Sequence, residues 1–242
     1  MNRIVSTSLI GTAAAMALVA GSCVPAFADG TATPAPSPAP SSGRTLAAIQ
    51  ANAKTKTSAR IVSLNSAIGK ITAAADISSS DRAAILATLN GDVAGMNTVE
   101  AKIAADTTIA SAAADYKTIF TQYRVYAVAI PQSRFAAGAD RMTSTTIPKL
   151  TDAQTKLAAA LAGPDASKST PALLADLADM STQISAASTA LNGIAAQALA
   201  VTPSAYDSNH SVMSPIHAAV TTAIADLKKA HTDGQTVLAA IK

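Results

Sequence analysis

The chain has few of the residue types that usually stabilise a fold or catalyse a reaction. Its 242 residues include one cysteine, Cys23, one glutamate, Glu100, and no tryptophan, and only 3% are aromatic. A lone cysteine excludes a disulfide within the chain, so stability has to come from packing. With few bulky rings available, that packing depends on alanine and aliphatic side chains, which favour helices.

Charge is also scarce and nearly balanced. Charged residues make up 14% of the chain, with 18 basic and 15 acidic side chains and a net charge of +3. The basic residues are scattered, and one of them, Arg3, lies in the predicted leader. This distribution argues against a nucleic-acid partner.

Motifs for catalysis and cofactor binding are missing. The sequence contains no GxSxG, no GxxxxGK[ST] and no GxGxxG. His217 and His231 would lie about 21 Å apart on one helix, too far to share a metal ion, and His210 precedes that helix. We therefore expect no enzymatic activity, no cofactor and no metal. An uncharacterised hydrolase, with groups assembled from different helices, is the second alternative function.

Residues 1–28 have the three parts of a secretory signal. Arg3 is followed by an uncharged, mostly apolar stretch and by the small-x-small triplet that ends at Ala28. Cleavage after Ala28 is the preferred prediction. The alternative is lipidation of Cys23, because the residues before it loosely fit a lipobox. Both predict export, to the cell envelope or the medium.

Two further regions follow the signal. Residues 29–43 are rich in proline, alanine and serine and are predicted to form an extended, flexible linker. Residues 44–242 show helical periodicity throughout, with a loop at 163–170 as a possible subdivision. We expect an all-α, elongated antiparallel bundle of about five or six long helices with coiled-coil-like packing. No segment is apolar for long enough to predict a transmembrane span in the mature chain.

An earlier helix is predicted to begin at a cap within Ser78 to Ser80. The clearest periodic pattern begins at Pro171, with Thr170 as the predicted N-cap. It predicts one continuous helix to Val201, then a loop at 202–209 and a last helix from about Ser214. Nine residues repeat at alternating spacings of four and three. We call them the apolar seam: Leu173, Leu177, Met180, Ile184, Ala187, Leu191, Ile194, Ala198 and Val201.

The middle of the chain is less regular. A helix is predicted to stop or bend near Pro131, and a later one, at about 132–162, to kink at Pro148. The stretch 123–130, YRVYAVAI, is compatible with either a helix or an extended strand.

Most of the aromatic residues of the helical region fall within this middle segment, interleaved with arginines. They are interpreted in two ways: as a bulky core plug, or as a binding face for an envelope polymer or lipid. The residues of the proposed face, within 116–141, are Tyr116, Tyr123, Arg124, Tyr126, Arg134 and Arg141.

The runs at 120–142 (FTQYRVYAVAIPQSRFAAGADRM) and 207–220 (DSNHSVMSPIHAAV) resemble segments of secreted, alanine-rich helical proteins of high-GC Gram-positive bacteria. The resemblance covers most of residues 44–242. It implies a helical fold and an envelope or extracellular location, and it brings no known activity. The expected function is that of an exported, non-enzymatic structural or interaction protein of the cell envelope. Its expected partners are a wall polymer, a lipid or another envelope protein.

Overall fold

A computed structural model describes residues 45–242, which belong to one compact unit. Over that range the protein is all-α, as predicted, with no β-strand. The predicted signal, the linker, Ala28 and Cys23 lie outside the described residues. The helices are α1 (Leu46–Ala73), α2 (Ser79–Ala105), α3 (Ile109–Thr121), α4 (Ile130–Arg141), α5 (Ile147–Ala162), α6 (Pro171–Leu191), α7 (Ile194–Leu199), α8 (Pro203–Ser208) and α9 (Ser214–Ile241).

Three short segments interrupt the α-helices. Two are π-helical, Val125–Ala129 and Met142–Thr146, and one is a 3₁₀ turn, Ala166–Lys168, within the predicted 163–170 loop. Within the stretch 123–130, residues 125–130 are therefore helical rather than extended. None of the described helices combines the length and the apolar character needed to cross a membrane.

The helices α1 and α2 pack antiparallel. At the start of α1 the Gln50 amide donates to the carbonyls of Ile103, at 3.2 Å, and Asp106, at 3.1 Å, at the end of α2. Farther along, the Thr57 hydroxyl donates to the Glu100 carboxylate. The Gln50 amide thus satisfies carbonyls that a helix C-terminus leaves without intrahelical partners.

The helices α6 and α9 form a second antiparallel pair, the α6–α9 hairpin. The Lys229 ammonium lies 3.0 Å from the Asp179 carboxylate, and the Met180 side chain packs against Gly234. Ala187, on the same face of α6, is fully buried. Small residues allow these long helices to approach closely, which replaces the bulk that the sequence lacks.

The predicted caps are present. The Ser78 hydroxyl accepts a hydrogen bond from the Asp81 N–H at 3.2 Å, and the Thr170 hydroxyl accepts one from the Leu173 N–H at 3.3 Å. Helix α9 begins at Ser214, where the proline signal placed it.

All nine residues of the apolar seam are buried, but the prediction of one continuous helix is wrong. Asn192 (φ −58°, ψ 117°) and Gly193 (φ 72°, ψ 0°) form a type II turn between α6 and α7. Glycine suits this position because φ is positive there. The predicted loop at 202–209 also needs correction, since it contains α8.

The two prolines of the middle segment start helices rather than end them, which corrects the prediction for Pro131. Each lies in the first turn of an α-helix directly after a π-helical segment. In the first π-helical segment the Ile130 N–H donates to the Val125 carbonyl, and in the second the Ile147 N–H donates to the Met142 carbonyl. Inside an α-helix, proline removes one hydrogen bond and clashes with the carbonyl four residues earlier. The wider π turn adapts the chain to Pro131 and Pro148.

Candidate functional site

The structure distributes the six residues of the predicted face over several neighbourhoods. Tyr116, Tyr123 and Arg124 are half-buried, whereas Arg134 and Arg141 are exposed. The Tyr126 side chain is 52% exposed, which is unusual for an aromatic residue in a bundle with so few of them.

Tyr126 belongs to a cluster that the sequence did not reveal, because its centre is Arg60 of α1. The Arg60 guanidinium lies 4.6 Å from the centroid of the Phe120 ring and 5.1 Å from that of Tyr126. Tyr116 meets Phe120 edge to face at 5.3 Å between centroids. Burial lowers the pKa of Arg60, and Tyr126 and Tyr116 partly oppose that effect. The guanidinium is thus held by ring faces, a cation–π arrangement.

The Tyr126 ring is fixed at its far end as well. Its hydroxyl lies 3.2 Å from the Ser63 hydroxyl and donates to the Ala59 carbonyl at 3.3 Å. Val62, next to Ser63 on α1, is 69% exposed. We call Arg60, Val62, Ser63, Phe120 and Tyr126 the Tyr126 surface. It presents an exposed ring whose orientation is set by contacts to α1.

The backbone that places Tyr126 on this surface is strained. Arg124 has φ 44° and ψ 41°, and it is the non-glycine residue with positive φ in the described chain. Such a conformation costs a non-glycine residue about 1–2 kcal/mol. The Arg124 carbonyl accepts hydrogen bonds from Ala127 at 3.0 Å and Val128 at 2.7 Å, which starts the π-helical segment.

The Arg124 side chain connects the start of the π-helical segment to α8. Its guanidinium lies 2.5 Å from the Asp207 carboxylate and 5.7 Å from the centroid of the Tyr206 ring. Tyr206 in turn meets His210 edge to face at 4.9 Å. Arg124 is therefore engaged within the fold, and this network joins the two runs, at 120–142 and 207–220, that the sequence singled out.

Tyr123 faces a different helix from Tyr126. A Cβ atom at Gly95 of α2 would lie within the Tyr123 ring, so glycine is required there for the close approach. Asp92, one turn earlier on α2, has a pKa raised to about 6 by burial. Burial and the Asp92 charge also raise the pKa of Tyr123. Gly95, Asp92 and Tyr123 therefore form a packed contact between α2 and the connection that follows α3.

The two arginines at the end of the predicted segment are separate again. The Arg141 guanidinium lies 2.6 Å from the Asp76 carboxylate, in the connection between α1 and α2. Arg134 has no ion pair or hydrogen bond with the described residues. Because α4 separates Arg141 from Tyr126, the six predicted residues do not form one contiguous cluster.

A second neighbourhood, missed by the sequence reasoning, surrounds Asp140 at the end of α4. Asp140 is 8% exposed, and its carboxylate accepts a hydrogen bond from the Ser78 N–H at 2.5 Å. In a capping box that N–H would bond to the acidic residue three positions after the cap, which is Asp81. Asp140 takes this role from another helix, so the Asp81 carboxyl is left for other contacts.

Burial raises the pKa of Asp81, and the negative charge of the neighbouring Asp140 raises it further. Asp81 lines a cleft of about 600 Å³. We call this the Asn192 cleft. Its polar lining consists of Asp81, Thr143, Ser188, Thr189 and Asn192, and its remaining walls are Ala139, Leu191, Gly193, Ala195 and Ala196.

The geometry limits the chemistry of the two carboxyls. The Asp140 carboxylate accepts the Ser78 N–H at 2.5 Å, so it acts as a cap of α2 beside Asp81. Among residues 45–242, no group of three histidine, cysteine or acidic side chains is arranged to hold a metal ion. The cleft is open to solvent, and the hydroxyls of Thr143 and Thr189 already donate to carbonyls of their own helices.

Comparison with known proteins adds no assignment: no family model, no curated protein and no solved structure matches this chain.

Proposed function

We propose that this protein is an exported, non-enzymatic interaction protein of the cell envelope that binds another envelope protein through the Tyr126 surface. One observation supports this most strongly. Tyr126 is more than half exposed, yet its ring is fixed by Arg60 and by hydrogen bonds to α1. Tyrosine and arginine are enriched among residues that dominate binding energy at protein interfaces.

The fixed orientation of the ring favours binding. A side chain that is ordered before association loses little conformational entropy when a partner covers it. A tyrosine that served only to fill the core would instead be covered by its neighbours, as Phe135 is.

The quantitative test uses the immobilised full chain and native envelope fractions from the producing organism. We expect Tyr126→Ala to lose most of the recovered partner. Leu174→Ala is the matched control, because Leu174 is also 52% exposed but lies on α6, away from the Tyr126 surface. Equal recovery by both variants would contradict the proposal.

A second candidate function, binding of an anionic envelope polymer, is favoured by the position of Arg134. Arg134 is exposed and has no ion pair or hydrogen bond with the described residues, so its charge is available to an anionic ligand. If the ligand is a polymer, both Arg134→Ala and Tyr126→Ala should weaken retention of an isolated wall-polysaccharide fraction. Loss of binding with Tyr126→Ala alone favours the protein partner.

Export itself is supported by the sequence of residues 1–28. Intact-mass measurement of the secreted or membrane-associated protein distinguishes the two forms of processing. A chain that begins at Asp29 indicates simple cleavage, and a lipid-modified chain that begins at Cys23 indicates anchoring. Recovery of only the unprocessed chain from the cytoplasm would contradict export.

A further inference from the structure

We propose that Asn192 is a site of spontaneous deamidation, at which water converts the side-chain amide in the turn between α6 and α7 to a carboxylate. The proposal concerns the turn that divides the apolar seam, and it does not depend on the function proposed for the Tyr126 surface. The tripeptide Leu-Asn-Gly occurs at 89–91 and again at 191–193, so the effect of the fold can be separated from that of the local sequence.

The reaction is an attack of the main chain on its own side chain. Solvent base removes the proton of the Gly193 amide nitrogen, which forms a bond to Cγ of Asn192. The bond between Cγ and Nδ2 breaks, and the leaving nitrogen takes up a proton and departs as ammonia. One water molecule then opens the resulting succinimide ring, and breakage of either C–N bond of the ring gives aspartate or isoaspartate. Glycine favours the attack because it has no Cβ to obstruct its nitrogen.

The turn leaves the attacking nitrogen free. In a type II turn the hydrogen bond joins the first carbonyl to the fourth N–H, so the N–H of the third residue, Gly193, lies outside it. Within the described chain, neither the Gly193 N–H nor the Asn192 side chain makes a hydrogen bond. Both residues are exposed, so water reaches them. The attack requires rotation about the Asn192 Cα–C bond from its ψ of 117°, and this rotation does not have to break a bond of the Gly193 N–H.

The same tripeptide in α2 is protected by the helix. Asn90 and Gly91 are exposed, as Asn192 and Gly193 are. Gly91 lies inside α2, however, where an N–H is hydrogen-bonded to the carbonyl four residues earlier. Attack by the Gly91 nitrogen requires local opening of the helix, and the hydrogen bonds lost in that opening slow the reaction roughly tenfold. The two sites therefore share sequence and exposure and differ in the backbone hydrogen bond.

The modification would change the point at which the apolar seam divides. A carboxylate at position 192 adds negative charge to the cleft that Asp81 also lines. Isoaspartate, in addition, lengthens the main chain by one methylene directly before α7, whose Ile194 and Ala198 are buried. Because α7 packs against α4, deamidation acts on this contact in each molecule as it ages.

The test is a prolonged incubation of the purified full chain at mildly alkaline pH, with peptide mass spectrometry to locate each amide that has become a carboxylate. The rate at each asparagine is divided by its rate in the urea-unfolded chain, which corrects for the residues that follow the tripeptide. We expect this ratio to be roughly tenfold higher for Asn192 than for Asn90. Equal ratios, a higher ratio for Asn90, or an unmodified Asn192 while the unfolded chain reacts would overturn the proposal.

Variants assign the reaction to the turn. Asn192→Gln keeps an amide but requires a larger ring, so it should abolish modification at position 192. Gly193→Ala strains the turn, but its Cβ obstructs the attacking nitrogen, so it should slow modification of Asn192 several-fold. Gly91→Ala is the matched control and should leave the rate at Asn192 unchanged. An unchanged or faster rate in Gly193→Ala would show that the Gly193 nitrogen is not the attacking group, and it would contradict the assignment.

Discussion

The α6–α9 hairpin and the segment 122–149 differ in almost every structural respect. In the hairpin, long regular helices bury a periodic set of leucines, methionine and alanines, and the outward faces are polar. In the segment, two π-helical turns, two prolines and a left-handed Arg124 replace that regularity. The hairpin exposes Leu174 and Leu238, whereas the segment exposes Tyr126, whose ring is held by contacts to α1.

We call the α6–α9 hairpin the frame, because its regular packing stabilises the fold. We call the segment 122–149 the site, because it carries the proposed binding residue Tyr126. Regular packing gives stability because every buried methylene contributes roughly 0.8 kcal/mol. Strained backbone lowers stability and persists where surrounding contacts enforce it, commonly at functional positions. Here the ion pair of Arg124 with Asp207 and the contacts of Tyr126 with α1 enforce it. We therefore expect substitutions in the hairpin to affect folding, and substitutions on the Tyr126 surface to affect binding.

The largest effect is expected inside the hairpin. Leu177→Ala removes a buried seam side chain and should lower the free energy of unfolding by about 2–4 kcal/mol. Leu174→Ala, one turn earlier on the same helix but 52% exposed, should change it by less than about 0.5 kcal/mol. Urea denaturation followed by circular dichroism measures both. Similar losses for the two variants would mean that the seam is not the packed interface.

A pH-dependent effect is expected at Asp92, which packs near the segment. Its pKa of about 6 lies above its ordinary value of 3.8, so folding favours the protonated form. This group therefore makes the protein less stable as the pH rises from about 4 to 6 and above. Asp92→Asn should raise the free energy of unfolding above pH 7 by about 1–3 kcal/mol and leave it unchanged below pH 4. A pH-independent difference between the two proteins would refute this explanation.

The contact between α2 and the segment 122–149 is tested at two glycines of α2. Gly95→Ala places a methyl group against the Tyr123 ring and should lower the free energy of unfolding by about 1–2 kcal/mol. At Gly91 an added Cβ meets no atom within 4 Å, so Gly91→Ala should stabilise the helix by about 0.5–1 kcal/mol. Thermal unfolding should show opposite shifts. Two shifts of the same sign would contradict the close approach of Tyr123 to α2.

A smaller loss is expected at the turn that divides the seam. Gly193→Ala keeps the space but forces a side chain into φ 72°, which costs about 1 kcal/mol. Gly69→Ala is the control, because Gly69 lies in α1 with no atom within 4 Å of an added Cβ. Denaturant midpoints should fall for the first variant and rise for the second. An increase for Gly193→Ala would show that the turn is not held in its positive-φ form.

The hairpin was predictable because its signals are local and repeated. The period of the apolar seam, the cap at Thr170, and the proline at the start of α9 all report on residues within a few positions of one another. The turn after Leu191 was also within reach, since Asn-Gly is a strong turn signal. The long apolar period outweighed that signal and led to one helix being predicted in place of two.

The site was predictable only in part, because its contacts join residues that are distant in the sequence. The concentration of aromatic residues drew attention to Tyr126, but its partners Arg60 and Ser63 belong to α1. Likewise, no local pattern could show that Asp140 caps α2 in place of Asp81. Sequence proximity suggested that Arg134 and Arg141 share one face with Tyr126. In the structure the length of α4 places Arg141 away from Tyr126, so these residues do not form one cluster.

The most direct test of the separation between frame and site is photo-crosslinking in the living producer. A photoreactive phenylalanine analogue replaces Tyr126 in one strain and Leu174, which has the same exposure, in another. The replacement at Leu174 should change the free energy of unfolding by less than about 0.5 kcal/mol, and the replacement at Tyr126, which keeps the ring but loses the hydroxyl, by about 1 kcal/mol. We predict a discrete crosslinked envelope partner at position 126 and none at position 174. The same adducts from both positions, or an adduct from 174 alone, would contradict the account.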